Sequence, residues 1–117
     1  MIKIVLPAYN EEDAILPLIT DIKRILGERF KAFEVIVVND GSTDNTAKIV
    51  SELNLPMLKL VEHTRNKGLG ESIKTGLLYS LKNSDENDII VTMDADNTHS
   101  PGLIHRMSAF IEEGNDV

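Results

Sequence analysis

The feature that most constrains this chain is an alternation: short apolar runs take turns with longer stretches whose apolar residues recur at helical spacing. Residues 2–6 are apolar apart from Lys3, as expected of a strand covered on both faces. Ile15, Leu18, Ile19, Ile22, Ile25 and Leu26 then share one helical face. Pro17 is tolerable in that helix only within its first turn, so the helix starts near Leu16. Residues 34–38 read as a second strand. Gly41, Ser42 and Thr43 read as a turn that also supplies the N-cap of a helix over 44–53. Residues 57–61 form a third, weaker strand. A loop with Gly68 and Gly70 leads into a helix whose buried side is expected to be Ile73, Leu77, Leu78 and Leu81. Residues 88–93 are a fourth strand, and Ser100-Pro101 opens a last helix through Leu103, Ile104, Met107 and Ile111. Such an order implies an α/β fold with a parallel sheet wound by right-handed crossovers.

The length of 117 residues suits one core, so residues 1–117 are read as part of a single domain, without linker or repeat. Gly114-Asn115-Asp116-Val117 reads as a turn entering a further strand, and the expectation is an incomplete domain. Sheet edge or apolar helix surface left open by that would favour self-association, a homo-oligomer among the possibilities. The 19 Asp and Glu against 12 Lys and Arg give a net charge of −7, which repels a phosphate backbone and speaks against nucleic acid as the partner. Aromatics at 4% with no Trp leave no stacking platform for single strands. Nucleotides remain compatible, because a divalent cation can bridge carboxylates and phosphates. The absence of Cys rules out disulfides, thiolate catalysis and Cys-ligated zinc. No stretch approaches the roughly 20 apolar residues of a membrane helix. The expected location is cytoplasmic, at the cytoplasmic face of a membrane if segments beyond residue 117 provide an anchor.

Ligands of open parallel sheets bind beyond the carboxyl ends of the strands. Polar residues gather there: Tyr9, Asn10, Glu11 and Glu12 after the first strand, Asn39, Asp40 and Ser42 after the second, His63, Arg65, Asn66 and Lys67 after the third, and Asp94 and Asp96 after the fourth. Asp94-Ala95-Asp96 carries the sharpest chemistry. Two carboxylates two positions apart in extended backbone lie on one side, a hard-oxygen pair suited to Mg²⁺ or Mn²⁺ with phosphate oxygens completing the shell. Such an ion would neutralise a leaving diphosphate. The plainer reading is a solvated acidic turn; its place directly after a buried strand favours the metal.

Asp40 has two readings of equal weight, an acceptor for a nucleobase N–H or the side chain of an Asx-turn. Tyr9 packs against a base or covers the sheet edge. Glu11 bonds a ligand, whereas Glu12 is better read as sitting at a helix N-terminus. Arg65 and Lys67 meet phosphates or are simply exposed. His63, His99 and His105 have no metal-ligand spacing and are read as structural. No Gly-x-Gly-x-x-Gly follows the first strand, no P-loop is present, and there is no Gly-x-Ser-x-Gly elbow. A receiver-like phosphorylation domain would need an Asp after its third strand, where Glu62-His63-Thr64 stands.

Four segments taken together, residues 6–12 (Leu-Pro-Ala-Tyr-Asn-Glu-Glu), 38–44 (Val-Asn-Asp-Gly-Ser-Thr-Asp), 66–70 (Asn-Lys-Gly-Leu-Gly) and 93–96 (Met-Asp-Ala-Asp), resemble family 2 glycosyltransferases in order and spacing. Within that family the chain looks most like the dolichol-phosphate mannosyltransferase and polyprenyl-phosphate glycosyltransferase branch. The resemblance implies a GT-A (nucleotide-diphospho-sugar transferase) fold, of which this chain would be the parallel-sheet, Rossmann-like N-terminal half. It also implies a nucleoside-diphosphate-sugar donor, GDP- or UDP-linked, and transfer with inversion to an acceptor such as a polyprenyl or dolichyl phosphate. By carry-over, Pro7, Tyr9, Glu11 and Asp40 would hold the nucleoside, Lys67 would serve the substrate, and Asp94 and Asp96 would be the Asp-x-Asp metal motif, with Asp96 the firmer ligand. Thr98 stands where the mannosyltransferases have a Gln that joins the metal shell. The catalytic base and acceptor residues are expected beyond residue 117, so the competing function is a noncatalytic nucleotide- or metal-binding module.

Overall fold

The computed structural model describes residues 1–82, 84, 87–93 and 95. These form four parallel strands, β1 (Ile2–Ala8), β2 (Phe33–Asp40), β3 (Leu58–His63) and β4 (Ile89–Thr92), side by side in the order β3-β2-β1-β4. The crossovers are α1 (Ile15–Arg29), α2 (Thr46–Leu53) and α3 (Leu69–Leu81). From β1 the chain steps outward through β2 to β3, then returns across the sheet to β4 on the other flank of β1. That reversal puts a topological switch point between β1 and β4, where open α/β sheets form their ligand crevice. The helix expected over 100–111 and the turn at 114–117 lie outside the described residues.

The strand alternation sorts side chains onto two faces. Ile2, Ile4, Leu6 and Ala8 of β1 and Val35 and Val37 of β2 join Ile15, Leu18, Ile19, Ile22, Ile25 and Leu26 of α1 and Val50 of α2 in one aliphatic core. Pro17 is the third residue of α1, where no intrahelical acceptor exists for an N–H, as the sequence required. The opposite face is smaller, with Val5, Ile36 and Val38 against α3 and Tyr79 and Ile90 partly buried beside them. Lys3 shares it. Its buried Nζ donates to the Ser80 carbonyl at 2.9 Å and lies 3.8 Å from Asp88, so its charge is partnered.

α3 corrects the sequence reading. Leu78 and Leu81 are 55% and 59% exposed, and Ile73 and Leu77 are half-buried. The residues pressed onto the sheet are Ser72, Gly76 and Ser80. The cause is close approach. A Cβ on Gly76 would stand 2.3 Å from Val5 Cγ1 and 3.1 Å from Val38 Cγ2. The β-branched sheet surface takes the space a leucine would need, so the four-residue repeat of small residues is the packing stripe.

β1 and β2 both run two residues past their apolar segments, because parallel pairing continues through Pro7 opposite Val38 and Ala8 opposite Asn39. The carbonyls of Met1 and Val5 accept from the N–H groups of Ile89 and Met93. Odd-numbered residues of β1 therefore address β4. Pro7, which has no N–H to give, arrives where β4 has already ended at Thr92. The ladder opens there.

Candidate functional site

A cavity of about 440 Å³ lies beyond the carboxyl ends of the strands, lined by Pro7, Ala8, Tyr9, Glu11, Asp40, Asn66, Gly68, Leu69, Ser72 and Ala95. Four of the residues expected to hold a nucleoside, Pro7, Tyr9, Glu11 and Asp40, are thus brought to one hollow. Tyr9 lines the cavity and is 44% exposed. Lys67 is not among the lining residues; its backbone N–H donates to Asp40. Asp94 and Asp96 lie outside the described residues, but Ala95 between them is buried and lines the cavity.

Hydrogen bonds tie the β1–α1 loop to the β2–α2 loop. Asn10, at φ 53°, accepts from the Thr43 N–H at 2.8 Å, while its own N–H donates to Ser42 Oγ at 3.0 Å. The Glu11 N–H donates to Thr46 Oγ1 at 2.9 Å and the Glu12 N–H to Asp44 Oδ2 at 3.2 Å. The Glu12 carboxylate accepts from the Asn45 N–H at 3.1 Å, so it does sit at a helix N-terminus, that of α2. The N-terminus of α2 is served by Asp44, whose Oδ1 accepts from the Thr46 N–H at 2.9 Å, rather than by Ser42 or Thr43. Burial alone would raise the Asp44 carboxyl, but donors from Thr46 and the Glu12 N–H outweigh it and hold the group below its ordinary value.

Asp40 forms no Asx-turn; the turn is held instead by Asn39, whose Oδ1 accepts from the Ser42 N–H three residues on, at 3.2 Å. Asp40 reaches across to the β3–α3 loop instead. Its Oδ1 accepts from the Lys67 N–H and from His63 Nδ1, both at 2.8 Å, and its Oδ2 from the Gly68 N–H at 2.9 Å. Burial pushes its carboxyl upward, yet these three hydrogen bonds and the attraction of His63 prevail, and it stays below its ordinary value. The loop comes so near that a Cβ on Gly41, at φ +68°, would lie 2.4 Å from the Arg65 carbonyl carbon, so only glycine fits.

Sequence reasoning missed Ser72. Its hydroxyl, at the cavity floor, is the one fully buried side-chain polar atom without a partner among the described residues. Ser80, two helical turns on, returns its hydroxyl to the Gly76 carbonyl at 2.8 Å. The four-residue spacing of Ser72, Gly76 and Ser80 was the available signal. His63 was read as structural; its ring lies between Asp40 and Thr75, 2.8 Å from each. Among the described residues no group of three His, Asp or Glu side chains could hold a metal, and no helix is long and apolar enough to cross a membrane.

The profile of glycosyl transferase family 2 matches residues 3–117. The chain belongs to that family. It is 32% identical over 119 residues to an undecaprenyl-phosphate 4-deoxy-4-formamido-L-arabinose transferase of Proteus mirabilis, covering 99% of this chain and 35% of the relative. Among solved structures it is similar to TarS 1-349 of S. aureus in complex with UDP, at TM-score 0.73 and 28% identity over 96% of this chain and 32% of that one. It is also similar to the mannosyltransferase PcManGT of Pyrobaculum calidifontis in complex with GDP-Man and Mn²⁺, at TM-score 0.62 and 29% identity over 93% of this chain and 32% of that one. These likenesses give the GT-A fold expected of the four sequence segments. The chain spans about a third of the length of the proteins it matches.

Proposed function

We propose that the cavity holds the nucleoside of a nucleoside-diphosphate sugar, and that the chain is the donor-binding part of a family 2 transferase. That enzyme would pass the sugar, with inversion, to an acceptor such as a polyprenyl or dolichyl phosphate. The observation that carries this reading is the convergence of Pro7, Tyr9, Glu11 and an ionised Asp40 on one hollow at the switch point. Tyr9 offers a ring face to the base. Asp40, acceptor-only when ionised, suits a ring N–H such as uracil N3–H or guanine N1–H; adenine has no equivalent. Lys67 is kept as a phosphate contact. Relatives named for undecaprenyl phosphate and neighbours holding UDP or GDP-mannose support the substrate classes.

Asp94 and Asp96 are proposed as ligands of Mg²⁺ or Mn²⁺. The reading is supported by Ala95, which stands between them in sequence and lines the cavity, and by PcManGT, which is in complex with GDP-Man and Mn²⁺. When bound, the ion supplies charge neutralisation to the departing diphosphate. Location at the cytoplasmic face of a membrane, where a lipid phosphate would be met, belongs to the same proposal, as does self-association, which sedimentation velocity measures.

Calorimetric titration of UDP, GDP and ADP with Mn²⁺ tests the base reading: one of the first two binds more tightly than ADP, and a preference for ADP refutes it. Asp96→Asn is expected to weaken the Mn²⁺-dependent binding by ~1–3 kcal/mol, the range for losing a charged hydrogen-bonding partner. Equal affinity of variant and wild type removes Asp96 from the metal site.

A further inference from the structure

His63 has no wall in the cavity, yet it touches the residue there that matters most. It ends β3, paired in register with Asp40 at the end of β2. Nδ1 is 2.8 Å from Asp40 Oδ1, and Nε2 is 2.8 Å from Thr75 Oγ1 on α3. The His63 and Asp40 side chains are 7% and 6% exposed. An ionised carboxylate can only accept, so Nδ1 carries the proton and donates. Thr75 then holds the far side of the ring, its hydroxyl donating to Nε2 when the imidazole is neutral. Two strands and a helix thereby fix one imidazole in one orientation.

The consequence lies in Asp40. A carboxylate offers about four acceptor positions. His63 and the Lys67 N–H fill Oδ1, and the Gly68 N–H fills one position on Oδ2. Among the described residues, the remaining position on Oδ2 has no donor. Because Oδ1 is held by His63, the carboxylate cannot turn to exchange its two oxygens, and the spare position keeps a constant direction. We infer that His63 is a positioning residue for nucleobase selection, fixing Asp40 so that its free Oδ2 acceptor position takes a ring N–H of the base. The inference rests on the reading of the cavity as a nucleoside site.

The test uses two substitutions that split the imidazole into halves. His63→Asn keeps a donor near the Nδ1 position, whereas His63→Gln keeps one near Nε2 and loses the Asp40 contact. Affinities for UDP, GDP and inorganic pyrophosphate, each with Mn²⁺, are measured calorimetrically on the 117-residue chain. Pyrophosphate reports the phosphate end alone. His63→Gln is expected to weaken the tighter nucleotide by roughly fivefold to tenfold, the size of one net hydrogen bond, and to leave pyrophosphate unchanged. His63→Asn recovers most of the loss. Nucleotide affinity unchanged in His63→Gln, an equal loss for pyrophosphate, or no recovery in His63→Asn overturns the inference. Should His63→Gln not fold, Thr75→Val replaces it: loosening the ring lowers the nucleotide-to-pyrophosphate ratio about twofold, and an unchanged ratio overturns the inference. Failure of the underlying reading looks different, because wild type would then bind UDP and GDP no more tightly than pyrophosphate.

Discussion

The two faces of the sheet are built on opposite rules. Against α1 and α2 the sheet presents Ile2, Ile4, Leu6, Val35 and Val37, and α1 answers with Ile15, Ile19, Ile22 and Ile25, each at most 1% exposed. Against α3 it presents valines and an isoleucine, and the helix answers with Ser72, Gly76 and Ser80. Burying an isoleucine fully gives roughly 1.5–3 kcal/mol, and a serine or glycine gives little. The first face therefore supplies most of the apolar stabilisation. The second brings helix and sheet backbones close, and that proximity lets the β3–α3 loop close over Asp40 and shape the cavity. The comparison teaches that stability and site geometry are allotted to different sides of one sheet.

The largest expected effect tests the aliphatic side. Ile22→Ala should destabilise the fold by about 2–5 kcal/mol, read from urea unfolding, because a fully enclosed side chain leaves a cavity. Gly76→Ala should cost about 1–3 kcal/mol by overpacking against Val5. Val5→Ala in the same chain should recover part of that loss, and additive effects would show that the close approach is not what Gly76 serves. The acid limb of stability comes next. The Asp40 and Asp44 carboxyls are both held below the ordinary 3.8 in the folded chain. Their contribution is therefore fully present above that value and is lost as pH falls through the lower folded values. Asp40→Asn with Asp44→Asn should flatten this limb in pH-dependent melts, and an unchanged limb would place the acid sensitivity elsewhere. The smallest effect is at Ser72, where Ala removes a buried hydroxyl without a partner. It should leave stability unchanged or raise it by up to about 1 kcal/mol, and a clear loss in the melting temperature would mean that the hydroxyl has a partner in solution.

The aliphatic face was legible from the sequence almost residue by residue, because large side chains at helical spacing have one economical burial. The α3 face was misread for a related reason: hydrophobic periodicity rewards size, and this helix buries its small residues. The site divides in the same way. Pro7, Tyr9, Glu11 and Asp40 stood at strand ends, where topology alone gathers ligand-binding groups. The bonds from Asp40 to Lys67 and Gly68 span 27 and 28 positions, and no local pattern announces them. Gly41 was read as an ordinary turn residue, and its need to admit the Arg65 backbone follows only from the assembled loops.

The strand order also has a consequence in time. β1 sits at the centre of the sheet, yet its neighbour β4 arrives from far along the chain, Met1 and Asp88 being 87 positions apart. Pairings of such separation carry the largest loop-closure cost and form slowly. The segment from β1 to β3 can assemble most of its aliphatic core from nearer contacts while the opposite flank of β1 is still bare, with Met93 and Ala95 left to join that core later. Docking of β4 then brings in Ala95 and completes the hollow. A nascent chain of this kind would acquire its stability before its pocket, and nucleotide binding would report the last step of its folding.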